Sequence, residues 1–536
     1  MSNSSTQRLS NTTDFQPKSI RPSIILLGIF FIALAIRLWG VTNPLLDFHA
    51  WRQTVTATLA YNFYADGMNF FTPSRNIIGS IKGNVFYPTK LHFEFPLFTY
   101  FVALLYKNFG FDEILGRLVA IAFSMGSIWY LYLLGKRYFD ETSALVACGL
   151  FAVLPFSVYY SRTFMPESAM IFFSISMIYM FSRWLDTRKW SHFILASLFS
   201  TLAFLVKLPT LYMGAPLLFL AWNKFRGKIF YQPLLYVFVI AILIPPILWY
   251  SYIARLHFET YGGSNIWMDM LKDYEVLFTL RYWKLIFVTR LIEKMFAFTV
   301  FPFVVLGMRA YTSNKENYVL HTWFFSICLY FVIAAKYNFI HEYYQVPIIP
   351  VGCLFAGKFI ADFYRKNTLG DSYKSAKLWV VTLMIIFIPI HSIYKLNGRL
   401  NYNDTYLKIS AAVQQKTVRT DRLIVEETVS NPRIFYYSQR KGWGYSIFDK
   451  INPSFDKIMP SRLEDLIKKG AAHYCSKTPL SASDCLENLI KKGATHYVMA
   501  VAKPQIVNPE LYSFLRSNYK LILQEEYVTI FKLSKN

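Results

Sequence analysis

Repeated apolar runs, each near the length needed to cross a lipid bilayer, constrain this chain more than any other feature of its sequence. A helix rises about 1.5 Å per residue, so a crossing needs roughly 20 apolar residues. With 54% hydrophobic and 18% aromatic residues, the chain is too apolar for one water-soluble domain. We predict a polytopic α-helical membrane protein with eleven spans, near residues 23–41, 112–135, 142–160, 167–184, 191–207, 209–223, 231–252, 291–308, 319–335, 346–363 and 377–394.

The basic residues indicate the orientation of these spans. Lysine and arginine give a formal charge of +24, but they occur in short clusters between apolar runs rather than in basic low-complexity blocks, which argues against nucleic acid as a partner. Alternate gaps carry the clusters: Arg8, Lys18 and Arg21; Lys136 and Arg137; Arg183, Arg188 and Lys189; Lys224, Arg226 and Lys228; Arg309 and Lys315; Arg365, Lys366, Lys374 and Lys377. The positive-inside rule makes these gaps cytoplasmic. We therefore predict a plasma (inner) membrane protein with a cytoplasmic tail at residues 1–22 and an external, periplasmic C-terminal segment.

Two runs need a separate interpretation. Residues 96–109 are short for a span, and counting them as one would place the later basic clusters outside. We interpret them as a helix in the outer interface, which makes residues 43–111 one long external loop. The first run contains Ala33-Leu34-Ala35, similar to a signal-peptidase site, but it ends in Arg37 and Trp39, which favours an uncleaved anchor.

The composition and the hydrophobic pattern of the sequence change near residue 395. The β-rich runs RLIVEE (422–427) and HYVMAVA (496–502) alternate with charged, helix-like segments, so residues 395–536 are predicted to form a small soluble α/β domain. LIKKGAAHY (466–474) recurs as LIKKGATHY (489–497), and each copy is typical of a helix end, a glycine cap and a strand start. A duplicated packing unit explains this repeat better than a ligand site built on His473 and His496.

The five cysteines fit this topology. Cys148, Cys328 and Cys353 lie in apolar runs, whereas Cys475 and Cys485 share the predicted external domain. The spacing of the last two allows a small disulfide loop, and an oxidising external compartment would preserve it.

Polar residues able to do chemistry collect on the predicted outer side. Ionisable groups at a membrane boundary are costly unless paired, so their convergence indicates a site. The simpler alternatives are that Asp47 caps a helix, that Arg162 and Glu167 only pair with each other, and that the tyrosines form an ordinary interfacial belt. Together, the residues suggest an anionic lipid-linked substrate, with cations for phosphate and carboxylates for a metal or a hydroxyl proton. The set is Asp47, His49, Arg52, His92, Glu94, Arg162, Glu167, His257, Glu259 and the segment 336–344.

Four motifs in order resemble a known family. DFHAWRQT (47–54), HFEFPLFTYFVALLYKNFG (92–110) with FDEILGRL (111–118), YYSRTFMPES (159–168) and HEYYQVPIIP (341–350) are similar to bacterial relatives of protein O-mannosyltransferases and lipid A aminoarabinose transferases. The resemblance covers roughly residues 20–360. It implies that residues 23–394 form a GT-C glycosyltransferase domain, which uses a polyprenyl-phosphate sugar and inverts the anomeric centre.

The resemblance also implies roles for individual residues. Asp47 matches the general base on the acceptor hydroxyl, although relatives often carry an Asp-Glu pair where Phe48 follows here. An alternative register puts His49 at the position of the acid. Glu94 matches a position that holds a metal or the donor, so a divalent metal is possible, with Glu94 and His257 as potential ligands, but the spacing shows no compact metal motif. The residues expected near the donor phosphate are Arg52, Arg162, Lys336, His341 and Tyr344.

Two other functions are consistent with the composition. A transporter or flippase of lipid-linked sugars would be expected to show broken, paired helix halves, and a receptor would use the external domain as its head. Neither explains the polar first loop as well as an enzyme does. The expected partners are a polyprenyl-phosphate sugar, an acceptor that is a lipid, glycan or protein, and membrane lipids.

Overall fold

The structure is a computed structural model. It describes residues 21–82, 85–88, 94–261, 274–309, 315–367, 375–427, 432–446, 486, 489–501 and 509–533.

Every predicted span coincides with helical structure. The segments are Pro22–Leu38, Glu113–Tyr138, Glu141–Val153 with Pro155–Tyr160, Glu167–Thr187, Trp190–Val206, Gly214–Phe225, Pro233–Tyr261, Lys284–Met295 with Val300–Arg309, Tyr318–Ile333, Ile348–Asn367 and Ser375–Leu400. Four of the described helices are long and apolar enough to cross a membrane, or five if one bent pair is counted as a single span. Large apolar side chains such as Phe31 and Trp379 point outward, 73% and 65% exposed, as expected for contact with lipid.

Several spans are interrupted where the sequence analysis predicted continuous helices. Pro155 divides the run 142–160 into two helices, because proline cannot donate the backbone hydrogen bond. The run 291–308 bends by 102° between its two helices, and Ala297 and Phe298 between them have φ of 48° and 58°. The run 209–223 begins as the 3-10 turn Leu208–Met213, which contains Pro209. These interruptions shorten the continuous helices.

The helices pack around one large buried core. Close approach needs glycine at Gly307, where an added Cβ would lie 1.9 Å from the carbonyl oxygen of Phe355. Val300–Arg309 and Ile348–Asn367 therefore pack backbone against backbone at this point.

The long first loop is folded. It contains the helix Ala50–Asp66, the strands β1 (Ile77–Lys82) and β2 (Val85–Pro88), and the helix Leu97–Phe109, which matches the predicted short helix. The two helices share a buried cluster that includes Ala57 and Val102, together with Tyr436 from the C-terminal part. The two strands were not anticipated from the sequence.

Among the described residues, the C-terminal part builds a seven-stranded sheet with strands from this loop. Its own strands are β3 (Arg422–Glu427), β4 (Lys441–Ser446), β5 (His496–Met499), β6 (Lys520–Glu525) and β7 (Val528–Lys532), with helices Thr405–Lys416, Pro432–Ser438 and Pro509–Asn518. The order is β2-β1-β4-β3-β5-β7-β6. Strand β1 runs parallel to β4, so the first loop supplies one end of the sheet. The boundary predicted at residue 395 falls inside the helix Ser375–Leu400.

Polar contacts attach the first loop to the C-terminal part. The Asn76 side-chain amide donates to the carbonyl of Phe435 at 3.0 Å, and the Tyr61 hydroxyl donates to the Gln439 side chain at 2.9 Å. Because Asn76 and Phe435 are buried, these bonds fix the loop in place.

The second copy of the repeat has the predicted form. Residues 489–491 are helical, Gly493 has φ of 94°, and β5 begins at His496. The first copy, with His473, lies outside the described residues, as do Cys475 and Cys485, so their disulfide stays a prediction. Cys148, Cys328 and Cys353 are free and lie in apolar helices.

Candidate active site

One cavity of about 310 Å³ lies between the first loop and the chain segments around residues 207–209 and 337–344. Its charged or titratable lining residues are Arg52, Arg75, Glu94, Lys207 and His341. Its aromatic lining residues are Trp51, Tyr250, Tyr330, Tyr337, Tyr343 and Tyr344. Three cations and one carboxylate give the wall a net positive charge, which favours an anionic ligand.

Glu94 holds two of these cations in place. Arg52 donates to one oxygen at 2.5 Å, and Lys207 donates to the other at 2.6 Å. Burial opposes ionisation of Glu94, but the charges of Arg52 and Lys207 outweigh it and bring its pKa to about 2. Glu94 is therefore ionised at neutral pH and orients both cations toward the cavity.

Lys207 contacts a second carboxylate that the sequence analysis paired differently. Its Nζ lies 2.8 Å from a carboxylate oxygen of Glu167, and neither oxygen of this buried glutamate receives a hydrogen bond from the described residues. The sequence had suggested Arg162 as the partner of Glu167. The sequence analysis does not single out Lys207, because this residue stands at the end of the apolar run 191–207. Its position just before Pro209, on the predicted outer side, was the available signal.

Asp47 lies outside the residues that line this cavity. Its carboxylate is 3.5 Å from Arg117 and 3.6 Å from Arg162, and it accepts hydrogen bonds from Gln53 and from the Tyr159 hydroxyl. The side chain is 1% exposed. Burial raises its pKa, and the two guanidiniums counter that rise only in part. Asp47 is thus a buried carboxyl group in contact with two arginines.

His49 does not line the cavity but contacts two residues of its wall, His341 and Tyr343. It is the N-cap residue before the helix Ala50–Asp66 and has a left-handed conformation, with φ of 61°, which is unusual for a residue other than glycine. Its ring lies 5.3 Å from that of Tyr343 and 6.2 Å from that of His341. Burial lowers the pKa of His49 to about 3 and that of His341 to about 4, so both imidazoles are neutral at pH 7.

Glu342 is the centre of a buried ionic cluster next to His49. Lys294 and Arg399 lie 2.7 and 2.8 Å from its oxygens, and the Tyr160 hydroxyl donates to it at 3.0 Å. Burial opposes its ionisation, but Arg399 and Lys294 bring its pKa to about 2. His49 Nε2 lies 3.9 Å from the same carboxylate. The cluster therefore connects the last apolar helix, through Arg399, to the first loop.

The structure brings part of the predicted site together. Arg52, Glu94, His341 and Tyr344 line the cavity, whereas Arg162 pairs with Asp47, and Lys336 lies on the helix Ala335–Ile340 outside the lining. His92 and the side chain of His257 lie outside the described residues. Within the described residues, no three histidine, cysteine, aspartate or glutamate side chains cluster as metal ligands.

An apolar groove continues from the cavity. It encloses about 420 Å³ and shares Leu208, Pro209 and Tyr330 with the cavity wall. Its other lining residues are Leu211, Tyr212, Ala215, Ser326, Leu329, Ile333 and Ala334. Leu329 and Ile333 are 58% and 50% exposed, so the groove opens at the surface of the helical part. The two spaces together would accommodate an anionic head with an apolar tail.

A family model matches residues 94–250. The family is described as dolichyl-phosphate-mannose-protein mannosyltransferase. The match begins at Glu94, ends at Tyr250 and includes Lys207, all of which line the cavity. A search of curated protein sequences found no match.

Solved structures share the fold over most of the chain. ArnT from Cupriavidus metallidurans bound to undecaprenyl phosphate matches with a TM-score of 0.58 and 13% identity, covering 96% of this chain and 98% of ArnT. The Archaeoglobus fulgidus oligosaccharyltransferase complex with Zn and sulfate matches with a TM-score of 0.53 and 13% identity, covering 92% and 69%. The mycobacterial arabinofuranosyltransferase AftD matches with a TM-score of 0.55 and 11% identity, covering 95% and 41%.

These similarities agree with the apolar helices and with the resemblance in the sequence. At 11–13% identity the structures establish the fold, and the segment that the family model matches contains Glu94, Lys207 and Tyr250 of the cavity wall. The chain therefore has the GT-C fold of membrane glycosyltransferases, and its residues 94–250 are similar to the dolichyl-phosphate-mannose-protein mannosyltransferases.

Proposed function

We propose that the chain transfers a sugar from a polyprenyl-phosphate donor to an acceptor hydroxyl on the external face of the membrane, with inversion at the anomeric carbon. The observation that carries this proposal is the cationic cavity that continues into an apolar groove. A polyprenyl-phosphate sugar has the matching chemistry, an anionic phosphate between a polar sugar and a long apolar chain.

The cations would act on the leaving group. The donor phosphate is a diester with one negative charge, and it departs as a monoester with up to two. Arg52, Arg75 and Lys207 line the cavity where that charge would grow, and preorganised cations of this kind stabilise the transition state more than the ground state. The guanidinium of Arg52 can hold two phosphate oxygens at once.

The groove would hold the lipid. Its lining is almost entirely apolar, and it begins at Leu208 and Pro209, next to Lys207. Among the proteins of similar fold, ArnT has been solved with undecaprenyl phosphate, and AglB, the oligosaccharyltransferase of Archaeoglobus fulgidus, with a dolichol-phosphate. Those ligands support a polyprenyl phosphate as the donor class here.

For the proton transfer we propose Asp47 as general base, with His49 as the alternative. Burial raises the pKa of Asp47 and so makes its carboxylate a stronger base than a solvated one. Gln53 and Tyr159 cover this carboxylate. Asp47 can reach an acceptor only if donor binding moves these two side chains, whereas His49 already contacts the cavity wall.

The test is sugar transfer by the purified protein in detergent, with a radiolabelled polyprenyl-phosphate sugar and candidate lipid, glycan and protein acceptors. We expect label to leave the lipid and appear in one acceptor class. Arg52→Ala should lower this transfer by roughly 10²-fold. The control is Arg419→Ala, which removes an exposed arginine paired with Asp66 away from the cavity. A protein that moves the intact donor across vesicles without breaking the sugar–phosphate bond would be a transporter, and the proposal would be wrong.

A further inference from the structure

The ammonium of Lys207 lies between two glutamates, in the kind of place that a divalent metal ion takes in other proteins. Its Nζ is 2.6 Å from Glu94 and 2.8 Å from Glu167. The lysine side chain is 5% exposed and Glu167 is 1% exposed. Two carboxylates that converge on a buried cation at these distances resemble the oxygen ligands of Mg²⁺ or Mn²⁺.

The residues present do not fit a metal ion at this point. Lys207 already fills the space between the carboxylates, and a bound metal ion would have to displace its ammonium. Arg52 adds a second cation, at 2.5 Å from Glu94. A divalent ion placed here would be repelled by two cations, and the described residues nearby offer no third acidic or histidine ligand.

We propose that Lys207 replaces a divalent metal ion in this enzyme, and that Glu94 and Glu167 hold it as they would hold the metal. The role of Lys207 in catalysis rests on the proposed function. Its position between the two carboxylates in place of a metal ion does not. The ammonium has three protons. One is donated to Glu94, and neither oxygen of the nearby Glu167 accepts a hydrogen bond from the described residues. Protons of the ammonium are thus left for a donor phosphate oxygen in the cavity.

The role of Lys207 in the transfer step is electrostatic. The bond between the anomeric carbon and the phosphate oxygen breaks, and its electron pair stays on the phosphate. The acceptor oxygen bonds to the anomeric carbon, and its proton passes to the general base. Lys207 stays protonated throughout, and its fixed charge stabilises the phosphate that leaves.

The decisive measurement is metal binding, which needs neither donor nor acceptor. Protein freed of metal by chelator is titrated with Mn²⁺, and bound Mn²⁺ is counted by electron paramagnetic resonance. We expect no Mn²⁺ in the wild-type site, one Mn²⁺ per chain in Lys207→Ala, and none in Lys207→Ala combined with Glu167→Gln. Lys395→Ala is the matched control, because it frees one carboxylate, that of Glu293, instead of a pair.

Activity gives the second readout. Wild-type transfer should be unchanged by chelator, Lys207→Ala should lose roughly 10²-fold or more, and Mn²⁺ should restore part of that loss. Lys207→Arg keeps a cation and should retain more activity than Lys207→Ala without added metal. If the purified protein transfers no sugar, the proposed function is wrong. The Mn²⁺ titration still tests whether Lys207 occupies a metal site between the two carboxylates.

Three results would overturn the inference. The first is Mn²⁺ binding by the wild type that Glu94→Gln abolishes. The second is loss of wild-type activity in chelator with recovery in Mn²⁺. The third is absence of Mn²⁺ binding by both Lys207→Ala and Lys207→Gln in protein with a wild-type thermal midpoint, since the carboxylate pair would then have no affinity for a divalent cation.

Discussion

Replacing Asp47 with asparagine tests two roles of one residue. The substitution keeps the size of the side chain and most of its hydrogen bonding to Gln53 and Tyr159, but it removes the negative charge between Arg117 and Arg162. We expect turnover to fall by roughly 10²-fold through loss of the base, with little change in donor binding. We also expect the fold around the first loop to be weakened.

The size of that weakening follows from the contacts of the two arginines. Removing one partner of a buried ion pair costs about 3–5 kcal/mol, because the other charge stays buried without compensation. Arg117 keeps hydrogen bonds to the carbonyls of Gly40, Val41 and Pro44, at 2.8, 3.3 and 3.2 Å. The lower end, about 3 kcal/mol, is therefore expected, which corresponds to a fall of roughly 3 °C in the thermal midpoint of a 536-residue chain.

A second substitution separates the two effects. Combining Asp47→Asn with Arg162→Gln removes one of the two uncompensated cations. It should therefore reverse much of the fall in the thermal midpoint, with all variants measured in the same detergent and at the same lipid content. Turnover should stay low if Asp47 is the base. The reasoning about stability is refuted if Asp47→Asn leaves the midpoint unchanged. The assignment of the base is refuted if the double variant regains turnover, or if His49→Ala alone abolishes it in stable protein.

Four further predictions follow from the site and the topology. Arg52→Lys keeps the charge but loses the planar fork, so the KM for the donor should rise by about 10-fold with a smaller change in kcat, as steady-state kinetics would show. The pKa of Glu342 lies below its ordinary value of 4.5, at about 2. Its contribution to stability, about 3 kcal/mol, is therefore complete above pH 4.5 and lost as the pH falls toward 2. Glu342→Gln should make the thermal midpoint less dependent on pH over that window. Cys475 and Cys485 should be disulfide-bonded, a bond of about 2–3 kcal/mol, and free thiols at both positions in mass spectrometry without reductant would contradict this. A cysteine introduced at Ser430 should react with an impermeant reagent in intact cells, and reaction only after lysis would invert the topology.

The sequence predicted the helical part well because long apolar runs leave a chain in lipid few alternatives. It did not predict where those helices break. The division at Pro155 follows from the missing N–H, but proline also occurs inside the continuous helix Pro233–Tyr261, as Pro245 and Pro246. Tertiary contacts decide whether a proline interrupts a helix, and these contacts cannot be inferred from a single sequence.

Four residues that the sequence analysis expected to lie together, Arg52, Glu94, His341 and Tyr344, line one cavity. Packed helices bring such distant segments of the chain together. Their pairing was not readable: Arg162 pairs with Asp47 instead of Glu167, and Lys207 pairs with Glu94 across 113 positions of the chain. Spacing along a sequence reports neighbours within one element, and these pairs join different elements.

The parallel pairing of β1 with β4 has a consequence for the order of events during synthesis. Asn76, beside β1, must wait for Phe435, which is 359 positions later in the chain. The helices of the membrane part can insert as they leave the ribosome, but the hairpin between Arg52 and Glu94 cannot pair with β4 until β4 has been translated. We therefore expect nascent chains that stop before residue 441 to be inserted yet inactive, so that the enzyme begins to work only after nearly all of the protein has been made.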